Sequence, residues 1–83
     1  MSTSVTALQK VANSQIARDQ VTLRDLERDL AELEAQYAMP SETFHSLWLA
    51  GELDDSADFM DWHVLCDMVA EVRKRVALLK SEV

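Results

Sequence analysis

The sequence predicts an all-α protein: an antiparallel hairpin of two long helices joined by a short one, dimerising into a helical bundle. Three observations predict it. Turn punctuation is scarce, with Gly51 the only glycine and Pro40 the only proline among 83 residues, whereas a β-rich fold of this length needs several tight turns built on such residues. Leu23, Leu26, Leu30, Leu33 and Tyr37 recur at alternating steps of 3 and 4, the spacing of one helix face. Trp62, Leu65, Val69, Val72, Val76, Leu79 and Val83 repeat the same steps without a break, a second apolar seam.

The first helix is read over residues 16–38. Its stripe continues backward through Ile16, Ala12 and Val5, but Asp19 and Gln9 stand where apolar residues belong. Residues 1–15 are therefore either a flexible segment or a helical extension. Pro40 stops the helix, because it lacks a backbone donor and disfavours helical geometry at Met39. Ser41 reads as the N-cap of a short helix over residues 42–50, with Glu42 in its first turn and Gly51 as the residue that closes it. The acidic connector 52–58 leads, through a cap at Asp55 or Ser56, into a third helix over residues 57–81. Glu71 and Arg75 are spaced to pair along it.

The seam Leu23–Tyr37 is expected to pack on Leu65–Leu79, with the short helix folded across the connected end and Phe44 and Trp48 plugging the core there. The chain is read as one domain, residues 1–83. Two helices make a thin core, so part of each seam should stay exposed in a monomer and seek a partner, either a second copy or another protein.

A formal net charge of −7 disfavours nucleic acid as a ligand, because phosphate neutralisation needs surplus Lys and Arg. It suits a basic protein partner, and equally suits simple solubility. Cys66 is the only cysteine, so no internal disulfide forms. The N-terminal residues have no apolar stretch of signal-peptide length, and no run approaches the roughly 20 residues that span a bilayer. A cytoplasmic protein without membrane contact is the expectation.

No catalytic constellation stands out, so the chain is expected not to be an enzyme and to use no cofactor. His63, Cys66 and Asp67 share adjoining faces of the third helix, and His45 can approach them from the short helix. The spacing is generic, with no second cysteine and no paired-histidine motif, so no metal site is expected. Cys66 beside Asp67 has the wrong environment for a nucleophilic thiol. Glu52, Asp54, Asp55, Asp58 and Asp61 form an acidic run without a calcium-loop pattern; they are a solvated connector or a steering surface for a basic partner. Arg73, Lys74 and Arg75 are the only basic cluster and read as dipole-compensating surface. Trp48 and Trp62 serve either the core or an interface. The partner-binding residues expected on these grounds are Tyr37, Phe44, Trp48 and Trp62 as anchors, with Asp54, Asp55 and Asp58 steering.

The stretches LEAQYAMPSETF at 33–44 and DFMDWHVLCDMVAEVRKRVALL at 58–79 together resemble a family of small antitoxin-like proteins of bacterial and archaeal toxin–antitoxin pairs. The shared features are a Leu/Glu-rich helix ending in tyrosine, a short Met-Ser-x-Glu-x-Phe element, an acidic connector, and an Asp-x-x-x-Trp start to a long final helix. The chain departs from them at Ala38-Met39-Pro40, where such proteins often carry Gly before the Met. The resemblance implies an antitoxin that masks a co-expressed, basic toxin by direct contact. No helix-turn-helix with a basic recognition helix, and no basic N-terminal strand, accompanies it here. The rival expectation is a self-associating coiled-coil module, a homodimer that scaffolds something else.

Overall fold

A computed structural model describes the backbone of residues 3–82 and the side chains of residues 7–81; the seam positions Val5 and Val83 lie outside the described side chains. Three helices account for most of the described chain: α1 over Thr3–Tyr37, α2 over Ser41–Leu49 and α3 over Ala57–Glu82. There is no strand among the described residues.

α1 ends three residues before Pro40, in a left-handed turn. Ala38 takes φ +50°, and the Met39 N–H donates to the Glu34 carbonyl at 3.1 Å, the 6→1 bond of a Schellman motif. α2 closes the same way. Gly51 takes φ +72°, its N–H donates to the Trp48 carbonyl at 3.0 Å, and the Glu52 N–H reaches Leu47 at 3.0 Å. Alanine therefore occupies in one cap the position that glycine occupies in the other.

Ser41 is not the N-cap of α2, contrary to the expectation. Pro40 takes that place in extended geometry, and the Ser41 N–H is satisfied from the previous helix, donating to Glu34 Oε2 at 2.8 Å. The Ser41 hydroxyl is thereby free to accept the Trp62 indole N–H at 2.9 Å. Of the two candidate caps for α3 it is Ser56 that acts, its Oγ accepting the Phe59 N–H at 3.2 Å.

α1 and α3 run antiparallel. Leu26, Val69 and Val72 are buried at their contact, with Leu23, Leu30, Leu65 and Val76 packed around them, so the two seams meet as their spacing predicts. Asp19 interrupts the α1 seam because it is paired. It is 3% exposed and accepts two hydrogen bonds from Arg75, from Nε and Nη2, both at 2.8 Å. Gln15 donates a third at 3.0 Å. Those Arg75 bonds hold the Asp19 carboxyl below the usual aspartate range, against the opposing effect of burial. Arg75 thus pairs across the hairpin, and Glu71, the expected partner, acts on it only as a neighbouring charge. Arg73 bridges Glu27 at 2.8 Å. Two members of the basic cluster therefore clamp α3 onto α1.

At the connected end the core is aromatic. Phe44 and Trp62 are both fully buried and stack with parallel planes, centroids 4.1 Å apart. Tyr37 and Phe59 flank Trp62, and Trp48 leans on Phe44 at 6.0 Å. Trp62, with Phe44, is the central plug; Trp48 stays half-buried at its edge.

The molecule is a rod, 57 × 22 × 17 Å, with a radius of gyration of 16.7 Å, against roughly 12 Å for a compact domain of this length. It exposes 5924 Å², where a compact monomer of its mass exposes roughly 5,000 Å². No helix among the described residues is long and apolar enough to cross a membrane.

Candidate partner-binding surface

The aromatic residues at the connected end divide into those the fold consumes and those it leaves accessible. Phe44 and Trp62 have no surface to offer in this conformation. The Tyr37 hydroxyl donates a short hydrogen bond to Asp58 Oδ2, which also accepts from Gln36 Nε2 at 3.3 Å. That bond, with burial and the Asp58 charge, pushes the phenol above its ordinary range. Tyr37 and Asp58 therefore join α1 to the start of α3. Trp48 keeps part of its ring exposed, and Asp54 and Asp55 are open on the connector.

The accessible apolar surface lies off the predicted seams. On α3, Met60, Val64 and Met68 follow one another at steps of four and are 53%, 51% and 44% exposed. At 100° per residue they form a stripe, with Val64 roughly 140° around the helix from Val69. This row runs beside a longer, unbroken seam that dominates the helical pattern, although its step of four is present in the sequence. α1, at 35 residues, also outruns α3, at 26. Leu8 and Val11 lie exposed on that overhang. Leu49 on α2 and Leu78 near the end of α3 are exposed too.

Beside this surface a polar corner joins α2 to α3. His45, His63 and Asp67 bring their donor atoms within 4.8 Å of one another. Cys66, grouped with them on sequence spacing, is not part of the cluster. Its thiol is half-buried and pushed up by desolvation first, then by Asp67 and Glu34, so it is a poor nucleophile at neutral pH. Lys74, the remaining member of the basic cluster, is exposed.

Comparison with protein-family models, curated proteins and solved structures found no match to this chain.

Proposed function

We propose that the chain is an antitoxin-like binding protein that neutralises a co-expressed basic toxin by direct contact. The observation that carries the binding part is the Met60–Val64–Met68 stripe, exposed on a helix whose opposite face is already packed. Apolar anchors at steps of four are the pattern with which a helix docks into a partner's groove, and methionines adapt to irregular surfaces. Half-exposed Trp48 supplies an aromatic contact at the same end of the molecule. The net charge of −7, with Asp54 and Asp55 open on the connector, suits a basic partner by speeding encounter and fixing orientation. The toxin as partner rests on the resemblance carried by residues 33–44 and 58–79.

The test is co-expression with the product of the neighbouring gene. The expected result is that this product arrests growth alone, that the present chain relieves the arrest, and that the two co-purify. A harmless neighbour, or one that stays toxic and unbound, rejects the antitoxin reading.

The second reading is self-association without a toxin, as a homodimer. It is favoured by the exposed Leu8 and Val11 on the α1 overhang, which a second antiparallel copy would cover. Sedimentation equilibrium of the isolated protein separates the two: a dimer that captures no neighbour supports the scaffold, and a monomer rejects it.

A further inference from the structure

We infer that His45, His63 and Asp67 form a binding site for one divalent transition-metal ion of the zinc class, clamping α2 to α3. The site is a consequence of the aromatic stack. Phe44 and Trp62 lie face to face at 4.1 Å, and the next residue along each helix is a histidine. The two imidazoles are thereby stacked on each other, centroids 5.4 Å apart and planes within 22°. Two imidazoles bound to one zinc through bonds of about 2.0–2.1 Å at a tetrahedral angle have centroids about 5 Å apart. Asp67 follows His63 by one helical turn, the i, i+4 spacing at which two side chains on one helix face reach a common ion.

The polar atoms converge without satisfying one another. His63 Nε2 lies 3.3 Å from Asp67 Oδ2, and His45 Nε2 lies 3.7 Å from Asp67 Oδ1, the second too long for a hydrogen bond. Adjacent ligand atoms around a tetrahedral zinc are about 3.3 Å apart, against a spread of up to 4.8 Å here, so the set is completed when the His45 ring turns out of the stack and brings its in-plane lone pair onto the ion. His45 Nε2 and His63 Nδ1 are buried with no hydrogen-bond partner, and buried polar atoms of this kind call for an explanation. A cation accepts the Nε2 lone pair that no donor meets. The His63 ring is held for the task by Trp48, stacked on it at 5.2 Å and 19°. Three protein ligands with Asp67 exposed leave the fourth position to water. Imidazole with carboxylate is a donor set for zinc, cobalt, nickel or copper ions, and not for calcium or magnesium.

The experiment titrates chelator-treated, tag-free protein with zinc chloride, followed by calorimetry and thermal melting, and with cobalt chloride, followed by visible absorption. Saturation at one ion per chain is expected. Melting should rise by roughly 10 °C or more at a hundredfold excess of zinc over half-saturation. His45→Gln and Asp67→Asn should each weaken binding by more than about tenfold, and Cys66→Ser should leave it unchanged. Asp67 is exposed, so Asp67→Asn keeps the test valid should His45→Gln disturb the corner; helicity without metal is recorded for both. Absence of zinc binding, binding at one ion per two chains, or binding that survives Asp67→Asn but is lost in Cys66→Ser overturns the site.

Discussion

Ala38→Gly should stabilise this protein and Gly51→Ala should destabilise it by a similar amount. The two positions close α1 and α2 in the same Schellman geometry, at φ +50° and +72°. A left-handed backbone costs a residue with a Cβ roughly 1–2 kcal/mol. Glycine offsets part of that gain, because its freer unfolded chain costs about 0.4–1 kcal/mol on folding. The net for Ala38→Gly is about 0.5–1 kcal/mol of stabilisation, and the signs reverse for Gly51→Ala. A Cβ at Gly51 meets nothing within 4 Å, so no clash adds to the backbone effect. A domain of this size shifts its melting temperature by about 4–8 °C per kcal/mol. Ala38→Gly should therefore melt about 2–8 °C higher than the parent, and Gly51→Ala lower by a comparable amount, followed by circular dichroism at matched concentration. An unchanged or lowered melting temperature for Ala38→Gly would refute the reasoning, because the strained alanine is its premise.

Two further predictions concern ion pairs and pH. Arg75 holds the Asp19 carboxyl below its usual range, so the ionised form favours the fold: its contribution is present above the ordinary value near about 4 and is lost as pH falls through the lower folded value. Asp19→Asn should therefore melt less stably at neutral pH and lose less stability than the parent on acidification from about pH 5 downward; parallel acid limbs for the two proteins contradict the pairing. Tyr37 is the only tyrosine, so tyrosinate absorbance reports it alone. It should titrate above about 10, and Asp58→Ala should return it toward that value, since the Asp58 hydrogen bond is the largest cause of the upward displacement. A titration unmoved by Asp58→Ala contradicts the contact. Because the raised value belongs to the folded state, this contribution to stability is present at neutral pH and lost as pH rises through it.

The hairpin was legible because its two seams obey one period, and the structure pairs Leu26 with Val69 and Val72 as the steps of 3 and 4 require. Local signals failed where a distant residue took over a local role. Ser41 has the chemistry of an N-cap, yet Glu34 from α1 meets its N–H and its hydroxyl serves Trp62. Asp19 looked like a flaw in the stripe because Arg75 is 56 residues away in the chain. Glu71, four residues from Arg75, was the partner that helix spacing alone could suggest. At the surface, spacing offered His63 with both Cys66 and Asp67, but only the fold decides which of them meets His45. The Met60–Val64–Met68 stripe was hidden by its stronger neighbour, because a short apolar row beside a longer seam on the same helix reads as the margin of that seam. Trp48 and Trp62 read equally as core or interface; stacking on Phe44 places Trp62 inside, and Trp48 stays half-buried at the edge.

The central claim is that a basic partner docks on the exposed face of α3, and neutralisation by a surface variant tests it most directly. Met60→Glu with Val64→Glu places two charges on that face, away from the buried Trp62, Val69 and Val72. The variant should keep its helicity, since the packed seam is untouched. In the co-expression assay with the neighbouring gene product, the account predicts that the parent chain restores growth and co-purifies, whereas the folded variant does neither. A folded variant that neutralises and co-purifies as well as the parent contradicts the assignment of the binding surface.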